Sequence, residues 1–133
     1  MKRVLSMCLP ACTVVLAHHS LSVDFDRTKP VEFTAIVVQV SLLNPHGRFI
    51  ADVGCARWEF ELASVNALVK QGWTSGTLRE GDRVSVSAFL DKKGARRAYL
   101  QFVTLPNGTR LGNIDGWEMQ ASKSGKETDA SPR

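Results

Sequence analysis

The sequence predicts a small, mainly β fold, and three observations lead to this class. The chain has 133 residues, of which 44% are apolar and 23% are charged, as in one folded domain. Short segments with β-type alternation recur between turn residues, and one helix-like segment stands between the third and fourth of them. This order is that of a small OB-like Greek-key barrel with five to six strands and one short helix. A small β-sandwich is the alternative, but it does not need a helix at that point.

The first three strands lie between residues 31 and 62. Residues 31–43 (VEFTAIVVQVSLL) are rich in β-branched side chains and are apolar on both faces, which predicts a long strand that is buried on both sides or bends within a barrel. The following Asn-Pro-His-Gly stretch breaks this strand, because proline cannot continue a central strand and both Asn and Gly tolerate turns. Residues 48–53 (RFIADV) and 57–62 (RWEFEL) then alternate as half-buried strands do.

After the third strand, the spacing of apolar residues changes from the alternation typical of a strand to the three- and four-residue spacing typical of a helix. Ser64 is a suitable N-cap, and Gly72 can end the helix, so residues 64–71 are predicted to form it. Its apolar face is expected to contain Val65, Leu68 and Val69.

Three further strands are predicted after the helix. Residues 83–90 (RVSVSAFL) and 97–105 (RAYLQFVTL) alternate in strand fashion, and a loop with Gly94 at its left-handed position joins them. Asn107-Gly108 is a strong signal for a two-residue hairpin, which predicts a short last strand at residues 109–111.

The start of the chain has the pattern of a secretory signal peptide. A basic Met-Lys-Arg start precedes an apolar run at residues 4–17, and Ala17 is a suitable end for the cleaved segment. The run is shorter than the roughly 20 residues that a membrane span requires. A lipoprotein box at residues 9–12 (LPAC) remains an alternative. We expect residues 1–17 to be the signal peptide, 18–30 an N-terminal extended segment, 31–111 the barrel, and 112–133 a polar, disordered tail.

Cleavage after Ala17 determines the compartment and the charge of the mature protein. Removal of Lys2 and Arg3 lowers the 17 basic residues to 15, against 13 acidic residues. This balance gives no argument for nucleic acid, and a periplasmic location argues against nucleic acid as a partner. No stable membrane insertion is expected once the signal peptide is cleaved. Cys8 and Cys12 leave with the signal peptide, so the mature chain has no internal disulfide, and Cys55 is expected to be a buried apolar side chain.

The sequence lacks the common catalytic motifs, so we expect a protein that is not an enzyme. It contains neither a Gly-x-Ser-x-Gly elbow nor a phosphate-binding glycine loop. Glu59 and Glu61 share one face of the third strand and resemble a pair of catalytic carboxylates. The simpler interpretation is a solvated face beside Arg57.

The three histidines are the candidate metal ligands. Cleavage after Ala17 makes His18 the first residue, and its free amine and imidazole then form a two-nitrogen chelate. His19 or His46 could supply a third nitrogen, and Cu(II) prefers such tetragonal nitrogen sites. Asn44 and Trp73 are expected to shape this site. The alternative is that His18 and His19 form a solvated terminus and that His46 is an ordinary turn residue.

Several short motifs together resemble a family of small exported bacterial proteins known as a domain of unknown function. The motifs are AHHS, NPHGRF, WEFEL, a Gly-Trp pair after the helix, GDRVSVSAF and TLPNGTRL, and they extend from Ala17 to Leu111. Similar proteins usually have an aromatic residue soon after HHS and a Trp before Asn-Pro-His, where this chain has Leu21 and Leu43. The resemblance implies periplasmic location and fold rather than a particular chemistry.

The sequence therefore leads to two hypotheses for the function. The first is a periplasmic binding module that takes Cu(II) through the mature N-terminal histidine. The second is a metal-free module that binds a peptide, a sugar or a protein on the face of the barrel. The partner would be an unidentified small ligand or a protein of the cell envelope. A copper-dependent oxidative enzyme is a third and weaker possibility, because it needs an open coordination position and a substrate surface.

Overall fold

The computed structural model describes residues 24–114, which form six strands and one short helix. In chain order the elements are β1 (Val31–Ser41), β2 (Arg48–Val53), β3 (Ala56–Glu61), α1 (Val65–Lys70), β4 (Arg83–Leu90), β5 (Arg97–Thr104) and β6 (Arg110–Gly112). The prediction of a mainly β fold with one helix between the third and fourth strands is confirmed. The predicted ends of these elements differ from the observed ends by no more than two residues.

The sheet closes into a barrel because its two distant strands β3 and β5 pair with each other. The order along the sheet is β3-β2-β1-β4-β5-β6, and neighbours in this order are antiparallel. The closing pair is parallel and aligns Glu59 with Arg97 and Phe60 with Ala98. Five strands thus form a closed barrel of the OB type, and β6 extends the sheet from β5.

The long strand β1 bends within the barrel and changes partner halfway. Residues 31–36 pair with β4, and residues 36–41 pair with β2, with a bulge between Val37 and Gln39. A bulge inserts an extra residue and increases the local twist, which lets one strand serve both sides of a closed sheet. The apolar character of both faces of the strand, noted in the sequence, therefore reflects a bent barrel strand.

The main core fills the interior of the barrel. Phe49 and Phe60 are fully buried and stack at its centre with ring centroids 4.8 Å apart. Phe33 meets the Phe60 ring edge-on at 5.8 Å. Such aromatic pairs stabilise the fold by about 0.5–1.5 kcal/mol each beyond the area they bury. The other large fully buried side chains of this core are Leu62, Leu68, Leu100, Val37, Val84, Val86 and Val103.

A second, smaller cluster forms on the other side of the sheet from the main core. It consists of Phe25, Phe89 and Tyr99, all of which are nearly inaccessible to solvent. We call residues 24–30, which carry Phe25, the N-terminal arm. The arm is attached to the loop after β4 by a bridge between Phe25 and Asp91 and by a bond of 2.9 Å from the Asp26 amide to the Leu90 carbonyl. The arm thus covers an outer face that β-type alternation alone would leave exposed.

The helix α1 packs on the main core through Ala67 and Leu68 and is capped by Ser64 as predicted. The Ser64 hydroxyl accepts a hydrogen bond of 3.3 Å from the Ala67 amide, and Gly72 follows the helix with a φ of +92°, which favours glycine. The predicted apolar face is partly wrong. Leu68 is buried, but Val69 is 61% exposed, because so short a helix buries only the side that faces the barrel.

The packed structure includes residues 112–114, which the sequence assigned to the polar tail. Gly112 belongs to β6, and Asn113 is only 3% exposed. The Asn113 side chain accepts a bond of 2.7 Å from the Ala63 amide and donates one of 2.6 Å to the Leu100 carbonyl. One amide side chain therefore connects the start of the helical segment to β5. The remainder of the predicted tail, like the predicted signal peptide, lies outside the described residues.

The expectation of a buried Cys55 is wrong. Cys55 is exposed and lies in the turn between β2 and β3, directly after Gly54, which has a φ of +59°. The expectation followed from the residue type, because cysteine is usually buried. Here a two-residue turn places the Cys55 side chain beyond Val53 and Ala56, the last residue pair of the β2–β3 hairpin.

We predict that Asn113→Ala lowers the free energy of unfolding by about 2–3 kcal/mol, because it leaves a buried amide and a buried carbonyl without partners. Asn66→Ala, on the exposed side of α1, is the matched control and should change stability by less than about 0.5 kcal/mol. Urea denaturation followed by tryptophan fluorescence measures both values. Equal stability of the two variants would show that the Asn113 bonds contribute little.

Candidate functional site

His46 lies at the end of the loop between β1 and β2, and its position is fixed by the residue after it. Gly47 donates a hydrogen bond of 3.1 Å to the Ala63 carbonyl and accepts one of 2.8 Å from the Leu62 amide. A Cβ atom at Gly47 would lie 3.1–3.3 Å from the side chains of Leu42, Leu68 and Leu62, so the loop can approach this closely because the residue is glycine. The exposed His46 is therefore held beside the end of β3.

A shallow cleft of about 240 Å³ opens beside His46. Its lining residues are Pro45, His46, Gly47, Arg48, Glu59 and Glu61. A neighbouring cavity of about 160 Å³ shares Arg48 and Glu59 and extends to Gln39 and Ser41 on β1. The two cavities together follow the outer face of β1, β2 and β3, next to the first loop of the barrel, which is a usual position for ligands in OB-type folds.

The charges of this face follow from the strand register. Arg48 is aligned with Glu61, and Ile50 with Glu59, so two carboxylates and a guanidinium lie on one side of the β2–β3 pair. The Arg48 guanidinium is 4.0 Å from the Glu59 carboxylate. The parallel closure brings in Arg97 from β5, whose guanidinium is 4.0 Å from the Glu61 carboxylate. The cleft thus presents one histidine and two carboxylates, with an arginine near each carboxylate.

The side chain of Glu61 is more buried than expected for a residue on a solvated face of a strand. Its side chain is 26% exposed, compared with 37% for Glu59 and 62% for Arg57. Burial raises the pKa of Glu61, whereas the positive charges of Arg97 and His46 lower it, and the negative charges of Glu59 and Asp24 raise it. The net shift is upward, so desolvation outweighs the nearby cations. The simple expectation of a solvated face therefore does not describe Glu61.

The N-terminal arm begins next to this cleft. The Asp24 carbonyl accepts a hydrogen bond of 2.8 Å from the Lys92 amide, which fixes the start of the arm at the loop between β4 and β5. The same Glu61 carboxylate is within electrostatic range of both Asp24 and His46. Phe25, the next residue of the arm, lies under the Arg97 guanidinium at 4.9 Å, and this guanidinium is 4.0 Å from the Glu61 carboxylate.

The structure places the predicted site residues in different surroundings. His46 lines the cleft, and Asn44 is exposed in the same turn, where its peptide bond to Pro45 is cis. Trp73 is 2% exposed within the main core, donates from its indole nitrogen to the Gly112 carbonyl at 2.8 Å, and lines neither cavity. His18 and His19 lie outside the described residues.

Residues 24–114 contain no group of three His, Cys, Asp or Glu side chains placed to hold a metal ion. Sequence reasoning did not select Arg48, Arg97 or Asp24 for the site. The pairing of β2 with β3 could have indicated Arg48, because its outward position alternates with the buried Phe49. Arg97 and Asp24 could not be found in this way. Their positions near the cleft depend on the closure of the barrel and on the course of the arm, which no local sequence pattern indicates.

One comparison with known proteins assigns the chain to a family. The model of DUF6152, described as a family of unknown function, matches residues 6–100. The chain belongs to this family. The match covers the segment with His18 and His19, the His46 turn and the barrel as far as β5. The DUF6152 assignment confirms the resemblance noted in the sequence, and it brings no activity with it.

The other comparisons add no relatives. No curated protein matches the chain, and no solved structure does so. Within residues 24–114 we find no helix with the length and apolar character needed to cross a membrane.

We predict that Glu61→Gln becomes increasingly more stable relative to the wild type as pH rises from 4 to 7. The folded pKa of Glu61 lies above its ordinary value of 4.5, so the wild type has a stabilising contribution below that pH and loses it as pH rises through the raised pKa. The uncharged glutamine has no such loss. Denaturant unfolding at several pH values measures the difference.

Glu80→Gln is the control for the pH experiment, because Glu80 is exposed in the turn before β4 and lies outside the cleft. It removes one negative charge without altering the surroundings of Glu61. A stability difference between Glu61→Gln and the wild type that is the same at pH 4 and pH 7 would contradict the desolvation of Glu61.

Proposed function

We propose that the mature protein is a periplasmic, non-enzymatic module that binds Cu(II) through its N-terminal histidine and His46. The observation that carries this proposal is that Arg97 lies between the N-terminal arm and the cleft: its guanidinium is 4.9 Å from the centroid of the Phe25 ring and 4.0 Å from the carboxylate of Glu61, which lines the cleft with His46. Asp24 and His46 both lie close enough to Glu61 for their charges to act on it. A terminus that begins at His18 would be joined to the barrel at Asp24, on the side of the barrel where Arg97 and Glu61 meet.

The donor atoms suit this metal ion. A terminal His18 offers its amine and its imidazole, His19 offers a further imidazole, and His46 offers one from the barrel. Cu(II) favours nitrogen donors in a tetragonal arrangement and binds more tightly to such sites than the other common divalent ions. The amine has an ordinary pKa near 7.7, so its deprotonation at neutral pH costs little free energy. The terminal donors would complete a site for which residues 24–114 provide no three-ligand group.

The carboxylates of the cleft also favour a cation. Glu59 and Glu61 line the cleft with His46, and each is 4.0 Å from its arginine, which is beyond hydrogen-bonding distance. A cation near Glu61 would offset the desolvation of this half-buried carboxylate. Two carboxylates line the cleft against one arginine, Arg48, so the cleft suits a positive ion better than an anion.

A metal-free interaction module is the second candidate, and the neighbouring cavity favours it. Gln39, Ser41 and Arg48 line that cavity with amide, hydroxyl and guanidinium groups, and Ile50 adds an apolar wall. Such a mixture suits a polar ligand such as a sugar or an extended peptide. This candidate predicts that Arg48→Ala weakens binding, whereas His46→Ala does so less.

We predict that the mature protein, purified from exported material with His18 as its first residue, binds one equivalent of Cu(II). Its EPR spectrum should show nitrogen hyperfine structure that changes in both His18→Ala and His46→Ala. His46→Ala should retain the N-terminal chelate with weaker affinity, because one nitrogen donor is lost.

Two controls accompany the EPR experiment. Asn44→Ala changes the same exposed turn without removing a nitrogen donor of the proposed site, and it should keep the wild-type spectrum. Intact mass must show His18 as the first residue, since a different or blocked terminus would remove the proposed chelate. A spectrum that is identical in the wild type and His46→Ala would contradict the proposal and leave an ordinary N-terminal chelate.

A further inference from the structure

We propose that the N-terminal arm and the loop between β4 and β5 form a basic surface that binds the headgroup layer of an anionic lipid membrane. This inference goes beyond the proposed copper site and is independent of it, because no histidine takes part. The binding is peripheral, and no part of the barrel enters the hydrocarbon.

The net charge of the described chain is concentrated in two segments. Residues 24–114 contain 12 lysines and arginines and nine aspartates and glutamates. The arm and residues 91–97 together hold six of these basic residues and three of the acidic ones, whereas the remainder holds six of each. The six basic residues are Arg27, Lys29, Lys92, Lys93, Arg96 and Arg97. The whole excess of positive charge therefore lies in these two segments, which we call the basic surface.

Hydrogen bonding and charge show that the two segments lie side by side. The Lys92 amide donates a hydrogen bond of 2.8 Å to the Asp24 carbonyl, which joins the loop to the arm. Hydrogen bonds from Thr28 lower the pKa of Asp26 most, and the nearby charges of Lys29 and Lys92 lower it further. Basic side chains from both segments therefore lie near one another on one side of the barrel.

The acidic residue of the loop, Asp91, does not neutralise the exposed part of this surface. Its buried carboxylate accepts hydrogen bonds of 2.7 Å and 3.1 Å from the Arg97 guanidinium, so these two charges compensate each other. The side chains of Lys29, Lys93 and Arg96 are exposed. A negatively charged partner can therefore reach these three side chains without breaking a buried bond.

The composition of the basic surface favours a lipid membrane over an acidic protein. Protein interfaces are usually anchored by apolar and aromatic side chains near their centre. Within residues 24–114 the exposed large apolar side chains are Ile36, Leu43, Val69 and Ile114, all outside the basic surface, and Phe25 of the arm is buried. None of the residues that line the two cavities belongs to this surface either. A layer of anionic headgroups requires neither an apolar anchor nor a pocket, because positive charge alone attracts it.

Vesicle binding by the mature protein, without added metal, tests this inference. We expect the protein to co-sediment with vesicles that contain phosphatidylglycerol but not with vesicles of phosphatidylcholine alone. Binding should be lost when the salt concentration rises from about 0.1 M to about 1 M, because the screening length falls from about 10 Å to about 3 Å. Equal binding to both kinds of vesicle, or binding that persists at high salt, would overturn the inference.

Variants of the exposed basic residues locate the binding surface. Lys93→Gln/Arg96→Gln should weaken binding to the phosphatidylglycerol vesicles about 30-fold, because each basic side chain near an anionic surface contributes about fivefold. Lys29→Gln changes the arm alone and should weaken binding about fivefold. All three positions are exposed, so we expect both variants to fold as the wild type does.

Lys70→Gln/Arg83→Gln is the matched control. It removes the same amount of charge from exposed positions at the end of α1 and at the start of β4, the end of that strand opposite the loop. It should bind the vesicles nearly as tightly as the wild type. Equal weakening in the two double variants would overturn the basic surface, because net charge alone would then explain the binding. Binding to polyglutamate but not to the vesicles would overturn the lipid membrane as the partner.

Discussion

The parallel pairing of β3 with β5 is the constraint on which the rest of the structure depends. It joins the two distant strands of the sheet and so converts an open sheet into a barrel. It also aligns Glu59 with Arg97, which brings a basic side chain from the second half of the chain to the acidic face of the first half. The pair thus closes the sheet around the main core and places Arg97 beside Glu61 at the edge of the cleft.

Arg97 interacts differently with the two carboxylates that lie near it, Asp91 and Glu61. Hydrogen bonds from Arg97 hold the pKa of Asp91 below its usual range, despite the burial of that carboxylate. The bond to Asp91 in turn raises the pKa of Arg97, so this pair stays charged over the whole physiological range. Glu61 is only 4.0 Å from the same arginine, yet its pKa is shifted upward, because burial is the larger effect there. Arg97 is thus hydrogen-bonded to Asp91 at 2.7 Å and is 4.0 Å from Glu61, so it interacts more closely with Asp91 than with Glu61.

Much of the fold could be predicted from local patterns, because barrel strands alternate and their turns have characteristic residues. The bounds of β2 and β4 were predicted without error, and the helix was recognised from its cap and from Gly72. Long-range contacts could not be predicted in this way. Phe89 occupies an outward position in its strand and is buried in a cluster with Phe25, which lies more than sixty residues earlier in the chain, and with Tyr99. Among the residues of the site, His46 could be predicted as a turn histidine. Arg48, Arg97 and Asp24 could not, because their positions depend on the strand register and on the closure of the barrel.

The division of β1 between two partners also has a consequence for how the barrel opens. Its first half is hydrogen-bonded to β4 and its second half to β2, and Ile36 occurs in both registers. Each ladder can therefore fray from its own outer end, and the residues around Ile36 lie at the inner end of both ladders, which fraying reaches last. Hydrogen exchange should accordingly be slowest near the middle of this strand, although Ile36 itself is 37% exposed at the surface.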